Sequence, residues 1–570
     1  MGKIEHLKDV SAELKELQEK NSVTSQMNLP KGYLLESDWL YKVIASRKDD
    51  ETNKKVLVTS THPIIESEYV DIENGDYSYN LTFRKNGKKI KLTLDSEDLS
   101  QKKHIINLAK KGFDVYDSNA IDIINYIHSY KRMNEIPTLD VATRLGHIKD
   151  KFVSPYKNDN NKDVQLITLD PGYKSLLKGF EKKGKLSEYS QEVFQVIKDL
   201  PVVMTMLYGA LGSILIKEFN LEPFIIDNSG RTSSGKSFTL KVASSVWGND
   251  KLITEWNSTR NSIETQATFL NSFVLIKDDT RKAGKDMVVN SVYNFSGGKS
   301  KNRSNTKRTL DEIKTWNNIM LSTGETSIPD IAGDKAGVSG RVITLQQSPY
   351  PKGFDFTSLA DAIDKNHGVL GSAFMEHYQK NRDKFFNDFK KTEIYFIEKA
   401  NGNEVMTRLS RPFALLRTVG EILCEVAGFE HDPYIVVETV YKDMVKDNMT
   451  IDKPIQMLEE LLTKLVSQDS TVYKVTNYHL PDKPYNYEKI IAYQYSDYLV
   501  IDKGFVDNFL GMEKHSITKQ WKDREMLLTE TNRMVKKTKS FKGRVPMYCI
   551  KNEVISDCGF DFGFKDCTDL

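Results

Sequence analysis

Three groups of residues in this 570-residue chain have types and spacing suited to phosphate chemistry. The first is Gly230-Arg-Thr-Ser-Ser-Gly235-Lys236-Ser237, a G-x-x-x-x-G-K-[ST] loop. Its glycines let the backbone curl so that N–H groups point at a phosphate. The N-terminus of a following helix adds partial positive charge, and the lysine reaches the outer phosphates. ATP contacts are therefore expected from Gly230, Ser233, Ser234, Gly235, Lys236, Ser237 and Phe238, with the Ser237 hydroxyl on Mg2+. The second group is Asp278-Asp279, which closes an apolar run 41 residues beyond Ser237. One carboxylate there holds the metal and the other orients and deprotonates an attacking water. Asp278 is assigned the first task and Asp279 the second. The third group is Ser322-Thr323, at the end of another apolar run. Thr323 is preferred over Ser322 as the polar contact to the water or γ-phosphate, with Asn317 and Asn318 as alternatives.

These groups need strands to carry them. Phe224-Ile225-Ile226 reads as one strand and Phe238 onward as a helix. Leu252–Trp256, the run from Phe273 to the two acids, Asn318–Leu321 and Ser339–Leu345 read as further strands. Strands alternating with helices predict an α/β core. Arg341 opens the last strand, where an arginine of a ring ATPase projects into the neighbouring subunit's nucleotide; an internal ion pair is the alternative. Lys299, Lys301, Arg303, Lys307 and Arg308 fall within ten residues without an acid, beside Gly297-Gly298. A hairpin there would grip DNA phosphates in a channel. Residues 355–450 have helical spacing, with helices expected at Leu359–Lys365, Gly371–Phe389 and Pro412–Ala427. In this lid Arg411, with Pro412 beginning a helix, is a candidate contact to the γ-phosphate; Arg408 and Arg417 compete with it.

The length predicts several domains. Net charge is +2, so any case for nucleic acid must be local. Four cysteines without a CxxC pair argue against zinc and disulfides, and a cytoplasmic setting fits. The uncharged run Pro201–Ile216 falls short of the roughly 20 residues that span a bilayer, so it reads as a buried helix and no membrane is expected. The expected organisation is an amphipathic helix in 1–26, an α+β domain in 27–155, a linker in 156–190, the ATPase core in 191–352, a helical lid in 353–465, a winged-helix domain in 466–553 and a loose tail in 554–570. Asn86-Gly87 marks a hairpin turn in the α+β domain. In the winged-helix region a second helix is expected at Ser516–Leu528. Ten Lys or Arg against three Asp or Glu lie between Lys514 and Arg544. Lys519 and Lys522 on that helix and Lys536, Lys537 and Lys539 in the wing are the candidate DNA contacts.

Taken in order, Ser245-Val-Trp-Gly248, Trp256-Asn-Ser-Thr259, Asp278-Asp-Thr280, Gly297-Gly-Lys299, Ser322-Thr-Gly-Glu325 and Gly340-Arg341 resemble one family. It is the AAA+ replicative helicases related to minichromosome-maintenance proteins, encoded by staphylococcal pathogenicity islands and resistance cassettes. The likeness runs over about residues 30–550 and includes Pro30-Lys-Gly-Tyr33. It implies an AAA+ core with a lid, an α+β domain before it and a winged helix after it. It also implies a hexameric ring that hydrolyses ATP and unwinds DNA 3′-to-5′. The Lys299–Arg303 segment would be the channel hairpin and Arg341 the finger in trans. The carboxyl-terminal domain would recognise origin DNA, and the chain would initiate replication of a mobile element. Asp279 stands where many such sites have glutamate. Two rival readings are an origin-remodelling switch without processive unwinding and a DNA-binding regulator in which ATP only controls oligomerisation.

Overall fold

Five short runs of the first part of the chain pair into one parallel sheet. Their order across it is Ile253–Glu255, Leu275–Asp278, Met320–Gly324, Ile225–Ser229, Val342–Leu345. Numbered along the chain, this is 2-3-4-1-5. Ile225 is level with Met320 on one side and with Val342 on the other, so the strand ends that carry polar residues share one edge. Ligands of open parallel sheets bind at that edge. The three middle strands are buried along nearly their whole length, as expected where helices cover both faces.

The computed structural model describes residues 28–44, 54–156, 164–168, 170–301, 313–333, 336–449, 453–467, 472–475, 480, 483–484, 487–529 and 533–560. The chain divides into two compact units, residues 1–442 and 443–570. The expected helix in 1–26 lies outside the described residues.

In the first unit, helix Pro201–Gly212 lies between the sheet and helix Glu404–Cys424. Gly209 faces Ile226 and Leu321, and Gly212 faces Leu415 and Val419. The uncharged run is therefore an internal helix. Among the described residues, no helix is long and apolar enough to cross a membrane. Where the lid is expected the chain forms helices Phe356–Lys365, Val369–Lys380, Arg382–Ala400 and Glu404–Cys424, and helix Pro433–Met449 continues past residue 442. Pro412 does not begin a helix as expected. It sits inside Glu404–Cys424, which starts at Asn403, whose side chain accepts the Met406 N–H at 3.0 Å. Buried Phe413, Leu415, Leu416 and Val419 hold that helix through the missing proline N–H.

The amino-terminal part has a three-stranded and a five-stranded sheet packed on helix Ala120–Met133 through Tyr126, Ile127 and Tyr130, and a further two-stranded pair, Gly146–Ile148 with Lys151–Val153. Asn86 and Gly87 both have positive φ, +51° and +72°, the turn expected of that pair. Within 156–190, expected to be a linker, aromatic side chains pack against the core of the parallel sheet instead. Tyr173 stacks on Phe269 at 4.1 Å and Phe180 meets Phe273 at 5.2 Å. The polar composition of this stretch conceals the aromatic anchors that hold it.

The second unit has a five-stranded sheet in the order Val472–Lys474, Ala492–Gln494, Tyr498–Asp502, Gly543–Lys551, Lys536–Ser540. Helices Lys453–Val466, Lys503–Leu510 and Lys514–Asp523 pack in its core. Three expectations change here. Helix Lys453–Val466, assigned to the lid through residue 465, buries Leu458, Leu461, Leu462 and Leu465 in this second core. The helix expected at Ser516–Leu528 stops at Asp523, because Glu525 turns the chain at φ +57° and Leu528 N–H donates to Cys549 O at 2.8 Å. The expected tail begins as helix Asn552–Asp557 with Ile555 buried, while 561–570 lie outside the described residues.

Candidate active site

Strand Ile225–Ser229 runs straight into the glycine-bounded loop, and helix Lys236–Ser245 leaves it. Gly235 takes φ +89°, and a Cβ there would lie 2.6 Å from the Tyr350 ring. Backbone conformation and a crowding aromatic both demand glycine at this point. The Lys236 ammonium is held inside the loop by the carbonyls of Gly230 at 2.9 Å and Arg231 at 2.6 Å. Burial lowers its pKa, opposed by the nearby Glu325 carboxylate. Phe238, Tyr350 and Phe356 form an edge-to-face group beside the loop, with Phe238 and Phe356 centroids 5.2 Å apart.

The fold brings the sequence-assigned residues together. Ser237 Oγ donates to Asp278 Oδ1 at 3.0 Å across 41 residues of chain. Thr323 Oγ1 donates to the same oxygen, and it accepts the Asp279 N–H at 3.2 Å. Thr323 faces this group because strand neighbours alternate. Ser322 points the other way and accepts from Trp256 Nε1 at 3.0 Å. Asn318 is also turned away, donating to Phe273 O at 3.0 Å. A cleft of about 410 Å³ is lined by the loop residues 232–238 together with Asp278, Asp279, Arg281, Lys282, Thr323, Gly324 and Glu325.

Asp279 lies just past its strand at φ +63°. Its carboxylate is gripped by Arg281, whose Nε reaches Oδ1 at 2.9 Å and whose Nη2 reaches Oδ2 at 3.1 Å. That hydrogen bonding holds the Asp279 pKa below the ordinary aspartate value. Glu325 accepts the Thr232 hydroxyl of the loop and, at 2.6 Å, Arg281 Nη1; the Thr232 bond is the main reason its pKa is lowered. Neither Arg281 nor Glu325 has a role in the sequence assignment. Their signal was position alone: Glu325 directly follows the strand end, and Arg281 stands two residues after Asp279.

Two assigned arginines lie elsewhere. Arg341 donates to Gly337 O at 2.5 Å and lies over the Tyr293 ring at 5.2 Å. It is not among the residues lining the cleft of its own chain. Arg411 reaches Phe219 O at 2.9 Å and Glu393 Oε1 at 2.7 Å, binding lid helices to the core, and it too is absent from the cleft. Within this chain its guanidinium donates to the Phe219 carbonyl and is paired with Glu393, and it does not line the cleft where a γ-phosphate contact was expected. Arg417 pairs with Glu421 at 3.1 Å, while Arg408 lies against Gly340.

The basic segment is a hairpin at its base. Ser300 N–H donates to Lys314 O at 2.8 Å and Trp316 N–H to Gly298 O at 3.0 Å, with Lys299 opposite Thr315. Buried Trp316 anchors this stem through Nε1 to Phe295 O at 2.8 Å. Lys299 and Lys301 are exposed; Arg303 lies outside the described residues. In the second unit, Lys519 is exposed on helix Lys514–Asp523 and Lys522 half-buried. Lys539 pairs across the ladder with Arg544, and Lys537 shares that face. Lys536 falls on the opposite face, so the three wing lysines do not form one patch.

A family model described as "Domain of unknown function (DUF927)" matches residues 33–315. No curated protein matches the chain. Among solved structures, the chain is similar to one described as "SCCmec type IV Cch - active helicase". The TM-score is 0.67 at 16% identity, over 95% of this chain and 100% of that one. It is also similar to "The A form apo structure of NrS-1 C terminal region-CTR(305-718)", with a TM-score of 0.28 at 11% identity, over 85% of this chain and 95% of that one. The first likeness shows a shared fold over nearly the whole of both chains.

Proposed function

We propose that this chain is an AAA+ ATPase that unwinds DNA and initiates replication of a mobile genetic element. The observation that carries the reading is the convergence of Lys236, Ser237, Asp278 and Thr323 at one edge of a 2-3-4-1-5 parallel sheet. The shared fold with a protein described as an active helicase supports it.

Lys236 and the loop N–H groups hold the phosphates of ATP. Ser237 and Asp278 offer only oxygen donors, the set magnesium requires, and the ion bound there would neutralise charge on the phosphates. Asp279 takes a proton from the attacking water as the water oxygen bonds to the γ-phosphorus and the bond to the bridging oxygen breaks. Thr323 holds Asp278 and the Asp279 backbone in register. In a hexamer, Arg341 would reach the neighbouring subunit's phosphate, and the hairpins carrying Lys299, Lys301 and Arg303 would move one strand, 3′-to-5′. Helix Lys514–Asp523 and the wing would address origin DNA.

Strand displacement on forked DNA, with 3′ and 5′ tails tested separately, examines this. Wild type should displace the strand with ATP. Lys236→Ala should lose hydrolysis and displacement, and Lys301→Ala should keep hydrolysis and lose displacement. Hydrolysis without displacement by wild type on either tail would replace the motor reading with a remodelling switch.

A further inference from the structure

Arg281 joins three elements of the cleft. Its guanidinium forks onto Asp279 at 2.9 and 3.1 Å and reaches Glu325 at 2.6 Å. Glu325 in turn accepts the Thr232 hydroxyl of the phosphate loop. One planar cation therefore connects the end of strand Leu275–Asp278, the end of strand Met320–Gly324 and the loop. Gly230 N–H donates to Gly324 O at 3.2 Å, and a Cβ at Gly324 would lie 2.1 Å from Thr280 Oγ1. Asp279 takes φ +63°, a left-handed conformation that aspartate tolerates, and its Oδ1 accepts the Arg281 N–H at 3.2 Å in a local turn. The fork of a guanidinium fixes both oxygens of a carboxylate, and a lysine cannot.

We propose that Arg281 is the positioning residue of this site: it aims the Asp279 carboxylate at the attacking water and, through Glu325 and Thr232, ties that aim to the phosphate loop. The proposal rests on the ATPase reading and adds a residue to it. Arg281 acts through Asp279 and not on the reacting atoms. The side chain is 54% exposed, and exposed ion pairs contribute little to folding, so its removal spares the fold.

The test is steady-state ATP hydrolysis, equilibrium binding of a fluorescent ADP, and Tm, on the full chain and on Arg281→Ala, Arg281→Lys, Asp279→Ala and the double variant. Arg281→Ala should lower kcat roughly 10- to 100-fold, the range for misplacing a reacting group. KM for ATP, ADP affinity and Tm should stay at the wild-type values. Arg281→Lys should recover part of kcat, because charge returns without the fork. Removing Arg281 in the Asp279→Ala background should cost nothing further. An equal loss in that background would overturn the proposal, since Arg281 would then act on its own. Weakened ADP binding would overturn it by making Arg281 a phosphate ligand, and a lowered Tm by making it structural. A wild-type chain that binds ADP and hydrolyses no ATP would overturn the ATPase reading, and this proposal with it. Every other outcome leaves that reading standing.

Discussion

Asp227 lies on the strand that leads into the glycine-bounded loop and is fully buried. Its Oδ2 accepts the Ile328 N–H at 3.0 Å, while its Oδ1 has no hydrogen-bond partner among the described residues. Burial outweighs that bond and raises its pKa from 3.8 to about 6. The folded value lies above the unfolded one, so folding favours the protonated acid. That contribution is fully present below about pH 4 and is lost as pH rises through about 6. Asp227→Asn should therefore flatten the fall in stability across this window, by up to about 3 kcal/mol. Urea unfolding of wild type and variant at both ends of the window measures it. Equal pH slopes would show that Asp227 is not the group responsible.

At the scale of elements, strand alternation decides which neighbours in sequence act together. It puts Thr323 in the cleft and Ser322 behind it. In the wing it puts Lys537, Lys539 and Arg544 on one face and Lys536 on the other. If the first face meets duplex phosphates, Lys537→Ala with Lys539→Ala should reduce the salt dependence of duplex binding by about two phosphate contacts. Lys536→Ala should leave that slope unchanged. Titration of labelled duplex at several salt concentrations separates the two, and equal slopes for both variants would remove the wing face from the DNA interface.

The whole molecule holds two compact units, 1–442 and 443–570, each with its own core. Such a chain is expected to unfold in more than one step. The cleft proposed to bind nucleotide lies entirely in the first unit, so on that reading Mg·ADP should stabilise only that transition. The stabilisation should be about 2.7 kcal/mol at a hundredfold excess over its Kd. Tryptophan fluorescence should follow mainly the same step, since four of the five tryptophans lie before residue 443. Circular dichroism reports both. A single transition shifted as a whole by the nucleotide would contradict this division.

Short-range chemistry was legible in the amino-acid order. The glycines and lysine of the loop, the hairpin at Asn86-Gly87 and the apolar runs of the sheet each depend on a few adjacent residues. Local backbone geometry and hydrophobic spacing are written there directly. The pairing of Ser237 with Asp278 was also foreseeable, because each is placed by its own strand or helix end. The sequence alone did not show that Tyr173 and Phe180 pack on the core, that Lys453–Val466 joins the second unit, or that Arg411 is paired with Glu393. Nor did it show that Arg281 links Asp279 to Glu325. Each of these depends on which distant partner captures a side chain, and only the closed tertiary structure sets that competition.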